Sequence, residues 1–199
     1  GLLPQRRVRI GGNLHFDGSD VLKESAARAK ARRGRDITMI FQDPMAALNP
    51  VFTIRQQFAA VLTRLDRPLC AAEAEDSMRT ALRDVSIADP ERVLDSYSFQ
   101  LSGGLNQRVM IAMALVSRPK LLIADEPGTA LDVTVQQQTL HIMGNLSRSY
   151  GTAILFISHN LGVVRKFADR VCVMYAGRIV EEAPTDVLFS DPRHPYTRA

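Results

Sequence analysis

An α/β fold, in which a parallel sheet core is interrupted by an inserted α-helical subdomain, is what this sequence predicts. Three observations carry that reading. The runs Ile37-Thr38-Met39-Ile40-Phe41, Leu121-Leu122-Ile123-Ala124 and Ala153-Ile154-Leu155-Phe156-Ile157 are apolar almost without interruption, the pattern of strands buried on both sides. Stretches of helical spacing separate them, and strands that alternate with helices imply parallel pairing with both sheet faces covered. Between residues 43 and 100 the alternation lapses, and helical spacing stands alone.

Each element follows in order. Val8 to Phe16 reads as two extended pieces around a turn at Gly11-Gly12, and Asp17-Gly18-Ser19-Asp20 as a second turn. Val21 to Arg33 has helical spacing, and Ile37 to Phe41 is the first core strand. Phe41 to Phe52 is expected to be a loop, with Pro44, Asn49 and Pro50 holding an extended path. Thr53 to Leu65 and Ala71 to Val85 are helices of the insert, punctuated by Pro68 and Pro90. Gly104 to Ser117 is apolar nearly all round, so it is expected to be buried on several sides and to stop before Pro119. The strand Leu121 to Ala124, the helix Thr134 to Tyr150, the strand Ala153 to Ile157 and the helix Leu161 to Phe167 come next. Arg170 to Tyr175 and Arg178 to Glu182 form a hairpin about Ala176-Gly177.

Composition narrows the class. The 199 residues are 46% hydrophobic and 23% charged, an ordinary globular balance that excludes disorder. The net charge is +4. The basic run Arg28-Ala29-Lys30-Ala31-Arg32-Arg33-Gly34-Arg35 suits a nucleic-acid or anionic-membrane patch, or a solvated helix end before Gly34. No aromatic residue interleaves to stack a base, which favours the helix end and argues against a nucleic-acid partner. Cys70 and Cys172 lack metal-site spacing. The longest apolar stretch, Val109 to Val116, falls far short of the ~20 residues that span a bilayer.

Two segments carry chemistry. In Leu101-Ser102-Gly103-Gly104, Ser102 is placed to cap a helix, and the two glycines let backbone N–H groups approach an anion. In Asp125-Glu126, two adjacent carboxylates end an apolar strand, where ligands of parallel sheets bind and where Mg²⁺ can be held and a water polarised. Alone, each has a structural explanation: a capped helix, or carboxylates that cap the turn before Pro127. Gln42 and His159 likewise close strands, and a lone glutamine or histidine there is often structural. His15, His141 and His194 have no comparable context.

In this order and at this separation the two segments resemble the signature sequence and Walker B motif of ABC-type ATPases. Phe41-Gln42-Asp43-Pro44-Met45, Leu48-Asn49-Pro50 and Asp191-Pro192-Arg193-His194-Pro195-Tyr196-Thr197 resemble the oligopeptide, dipeptide and nickel importer branch. The resemblance implies a P-loop NTPase (RecA-like) core that uses ATP and Mg²⁺. It implies Glu126 and His159 as catalytic residues, activating the water and sensing the γ-phosphate. Gln42, Ser102, Gly103, Gly104 and Asp132 would bind nucleotide, with Thr129 to Asp132 as the D-loop and Ser102 acting across a head-to-tail dimer. Asp125 and Gln42 would hold the metal. Asn106 and Gly128 depart from the family's usual arginine and threonine, and are expected to weaken the trans contact and loosen the turn.

No lysine here follows glycine, so no P-loop of the form G-x-x-x-x-G-K-[ST] is present. The resemblance thus implies a chain whose N-terminal P-loop strand and loop are missing, inactive alone. It divides as 1–42, an N-terminal part of the core; 43–100, the helical insert; 101–183, the signature and Walker B half; and 184–199, the start of a C-terminal extension. Implied partners are a second ATP-binding subunit, identical or not, the transmembrane permease subunits and, indirectly, a substrate-binding protein. The implied location is the cytoplasmic face of the cell membrane. Two alternatives stay open: a non-transport ABC ATPase acting on DNA, although neither heptads nor cysteine clusters occur, and a non-catalytic remnant that only binds a partner.

Overall fold

The computed structural model describes residues 10–65, 67–128 and 132–198. The first described strands are β1 (His15–Phe16) and β2 (Ser19–Asp20), antiparallel about Asp17-Gly18. Both turn residues have positive φ, 51° and 73°, the twist that a two-residue hairpin needs. The second expected turn is thus a hairpin turn, while the hairpin expected about Gly11-Gly12 begins at residues 8 and 9, outside the described residues. The helix expected from Val21 to Arg33 is broken. A 3₁₀ turn at Val21–Lys23 ends where Glu24 turns extended, and Ser25 restarts the chain by capping α1 (Ala26–Arg32), its Oγ accepting from the Arg28 N–H. A serine hydroxyl competing for that N–H favours a new cap over a continuous helix.

β3 (Ile37–Ile40) leads into a correction. The stretch expected to be extended contains one helical turn, α2 (Pro44–Ala47). Pro44 sits at its first position, where the missing N–H costs nothing, and Asp43 Oδ1 accepts from Met45 N at 2.8 Å and Ala46 N at 3.3 Å. The rest of the stretch is held by Gln57, whose Nε2 donates to the carbonyls of Asn49 and Phe52, each at 3.0 Å. The insert continues with α3 (Ile54–Leu62), α4 (Ala71–Asp84), α5 (Pro90–Leu94) and a 3₁₀ turn at Ser98–Gln100. Arg55 ties α3 to α4 through Glu75 and to α5 through Glu91 and Asp95.

Then come α6 (Gly103–Leu115), β4 (Leu121–Asp125), α7 (Val133–Tyr150), β5 (Ala153–Ile157) and α8 (Leu161–Phe167). The hairpin β6 (Arg170–Tyr175) with β7 (Arg178–Pro184) precedes α9 (Thr185–Ser190) and α10 (Pro195–Arg198). As its apolar circumference predicts, α6 is the hub: Val109 to Leu115 are all buried, in one core with Phe58 and Leu82 of the insert and Ile40 and Leu122 of the sheet. Two polar side chains reinforce that junction. Arg108 of α6 donates to the carbonyls of Val85 and Ser86 and to Gln138 of α7, and Tyr150 Oη donates to Asp84 Oδ2 at 2.5 Å.

The sheet is parallel, in the order β3-β4-β5. Ile40, Leu122 and Ala124 point into the core, and Phe156 meets Phe167 of α8 at 4.8 Å between ring centroids. The opposite face departs from the expected double cover: Leu155 and Ile157 are 52% and 44% exposed. Among the described residues β5 pairs with β4 alone, so it is an edge strand.

Candidate functional site

Strand register assembles the site. Ile40, Ala124 and Phe156 lie in one row across the sheet, so the chain leaves the carboxyl ends of all three strands together. Gln42 and Glu126 each follow two residues beyond that row, and His159 three. Such strand ends in a parallel sheet are where ligands gather.

The three side chains meet. Gln42 Nε2 donates to Glu126 Oε2 at 3.0 Å, and His159 Nδ1 lies 2.9 Å from Glu126 Oε1. An ionised carboxylate only accepts, so His159 must carry its proton on Nδ1, leaving Nε2 directed away from Glu126. The Glu126 side chain is 26% exposed and that of His159 70%, so the histidine can swing toward a ligand while the glutamate stays anchored. Glu126 is anchored through its backbone as well: its N–H donates to the Ile157 carbonyl at 2.9 Å, and its φ is 47°. A non-glycine residue held in that region costs about 1–3 kcal/mol, and such strain gathers at functional sites.

Gly128 lies two residues on. It is buried with φ 115°, and a Cβ there would lie 3.0 Å from Gln136 Cγ. The glycine permits a conformation and a close approach that threonine resists. Thr129, Ala130 and Leu131 lie outside the described residues. Asp132 follows them as the N-cap of α7, its Oδ1 accepting from Thr134 N at 3.1 Å and Val135 N at 3.0 Å.

The signature segment begins as expected, with Ser102 Oγ accepting from Leu105 N at 3.3 Å. Gly103 is exposed. Gly104 has a packing task too, since a Cβ there would come within 3.1 Å of Val135 Cγ1 on α7. Asn106, the position expected to weaken the trans contact, faces the core. It is 0% exposed and turned inward, its Nδ2 donating to Ser98 O at 2.9 Å, Leu101 O at 3.3 Å and Met45 Sδ at 3.1 Å. Its side chain therefore ties the start of α6 to the turn before it and to α2, and presents nothing outward. Sequence reasoning missed Arg108 and Tyr150 as links between insert and core; the one signal for Arg108 was a cation inside an otherwise apolar helix.

Asp125 ends β4 opposite Ile157. Among the described residues no three His, Cys, Asp or Glu side chains gather as a metal cage. Asp125 and the Gln42 carbonyl oxygen are hard donors, and a pair of that kind fits Mg²⁺, which keeps waters and substrate phosphates as its other ligands.

Residues 2–129 match the family described as ABC transporter. The chain belongs to the ABC transporter family. Similar curated proteins include a peptidoglycan transport ATP-binding protein of Agrobacterium fabrum, 54% identical over 94% of this chain and 34% of its own length. A probable peptide ABC transporter ATP-binding protein of Sinorhizobium fredii is 50% identical over 100% of this chain and 59% of its own. This ABC chain thus spans less than two thirds of the length of either relative. Among solved structures, cbiO1 of Clostridium perfringens, described as part of the ABC transporter complex cbiONQ, superposes with a TM-score of 0.77 at 26% identity, covering 91% of this chain and 69% of that one. The P-loop NTPase core with its helical insert is the fold the sequence led us to expect. No helix among the described residues is long and apolar enough to cross a membrane.

Proposed function

We propose that these residues belong to the ATP-binding subunit of an importer for peptides, in which hydrolysis of MgATP at a dimer interface drives membrane permease subunits from the cytoplasmic face. The observation that carries the reading is the convergence of Gln42 and His159 on Glu126 at the carboxyl ends of three parallel strands. The names of the relatives support ATP binding and favour peptides over nickel, the other substrate of this branch.

The roles are those that the resemblance implies. Glu126 holds its carboxylate toward the open end of the sheet with both oxygens engaged, by Gln42 and His159. Each carboxylate oxygen keeps a second lone pair, so Glu126 can accept a proton from water with both partners in place. The exposed His159 has room to turn toward a γ-phosphate when substrate is in place. Mg²⁺, held by Asp125 and Gln42 with the substrate phosphates, would neutralise charge on the transferring group. Ser102, Gly103 and Gly104 present the N-terminus of α6 to the phosphate of a partner subunit's nucleotide, and Asp132 takes part in binding at the same interface. The insert, residues 43–100, transmits the change through α2 and α6, which Asn106 and Met45 join.

The test is a substitution in the protein expressed from its complete reading frame. Glu126→Gln is expected to abolish steady-state ATP hydrolysis while MgATP remains bound; turnover near the unmodified rate would remove Glu126 from the reaction.

A further inference from the structure

Away from Glu126, a cavity of about 440 Å³ lies between α7 and α8, a size suited to a small organic molecule. His141 and Arg148 reach it from α7 and Lys166 from α8, and among the described residues no carboxylate lines it. Its floor is apolar, formed by Leu140, Val163 and Phe167. A glycine shapes it: a Cβ on Gly144 would lie 3.2 Å from Phe167 Cε2 and 3.7 Å from Arg148 Nη1, so the bare backbone lets ring and guanidinium close on the same spot.

The polar groups are held in advance. Arg148 Nη2 donates to Asn145 Oδ1 at 2.7 Å, and Asn145 Nδ2 lies 2.9 Å from His141 Nε2. Arginine only donates, so the Asn145 oxygen must face it and the amide nitrogen must face the imidazole. His141 Nε2 therefore accepts, and its Nδ1 carries the proton. One asparagine thus braces a planar cation and a ring donor on one helix face, while Lys166 stands on the other helix. A guanidinium held in place suits a carboxylate, which it can bind through two parallel hydrogen bonds.

We propose that this groove binds a small carboxylic acid with an apolar body, the carboxylate against Arg148 and Lys166 and the body on Phe167, Leu140 and Val163. The inference does not depend on the transport reading, since no residue of the Glu126 site takes part. Position gives such a ligand leverage all the same. Gln136 and Asn160 close one end of the groove; Gln136 packs under Gly128, and Asn160 follows His159. A bound acid would bridge the two helices that follow the strands carrying Glu126 and His159.

Calorimetric titration of the protein from its complete reading frame tests this, with phenylacetate as the probe and phenylacetamide as its neutral counterpart. Phenylacetate is expected to bind saturably with a dissociation constant on the order of 1 mM or tighter, and phenylacetamide at least tenfold more weakly. Arg148→Gln with Lys166→Gln is expected to weaken phenylacetate binding at least tenfold, and Asn145→Ala several-fold with the charges intact. Equal binding of acid and amide, no saturable heat, or full affinity in the double variant would overturn the proposal. Should the double variant not fold, glycine-labelled spectra of the unmodified protein decide: phenylacetate must shift the Gly144 and Gly162 amides, and shifts confined to other glycines refute the site.

Discussion

His159 and Glu126, 33 residues apart in sequence, are joined by a 2.9 Å hydrogen bond between Nδ1 and Oε1. If His159 senses the γ-phosphate from this position, His159→Ala should slow ATP hydrolysis by about 100-fold or more in the protein from its complete reading frame. MgATP affinity should change only a few-fold. Phosphate-release kinetics check both, and unchanged turnover would make His159 a bystander.

Gly128 should resist the substitution that the family pattern invites. Gly128→Thr places a β-branched residue at φ 115° against Gln136, at an expected cost of about 1–3 kcal/mol. Urea unfolding of the two proteins measures the difference. A threonine variant as stable as the glycine protein would show that the turn relaxes freely.

The contact between Tyr150 and Asp84 is expected to be sensitive to alkali. Burial first, and then the bond to Asp84, push the Tyr150 phenol up to about 12 from its ordinary value near 10. A group whose folded value is raised adds stability that is fully present below the unfolded value and is lost as pH climbs through the folded one. Stability should therefore fall between about pH 10 and 12, and Tyr150→Phe should be less stable at neutral pH with a flatter profile in that window. Parallel profiles for the two proteins would show that the bond adds nothing.

The 199 residues by themselves are expected to associate and to bind nucleotide poorly. Among the described residues β5 has an unpaired edge and a face on which Leu155 and Ile157 are exposed, a composition prone to strand-to-strand pairing. Without a Gly-Lys pair to cradle phosphate, affinity for MgATP should be no tighter than about 1 mM. Light scattering and calorimetry check the two parts. A monodisperse sample would show that the fold closes around β5, and micromolar affinity would reveal a phosphate site of another kind.

Much of the fold was legible because its signals are local. Continuous apolar runs marked β3, β4 and β5 to within a residue or two at each end. Ser102 before two glycines marked a helix start, since a capping hydroxyl acts within one turn. Where a local rule failed, another local rule won. Pro44 seemed to demand an extended path, yet a proline at the first helical position is no obstacle once Asp43 caps the turn.

By itself the sequence determined which chemical groups stand at the ends of which strands: Gln42, the Asp125-Glu126 pair and His159. Only the tertiary structure decided that three of them touch, because contact depends on parallel register, which aligns Ile40, Ala124 and Phe156 across more than a hundred residues. It also decided that Asn106 faces inward to the carbonyls of Ser98 and Leu101, and that Gly104 and Gly128 make room for Val135 and Gln136. Residue type and spacing act over a few bonds, whereas the direction of a side chain and the space a glycine leaves are set by whatever distant segment packs against it.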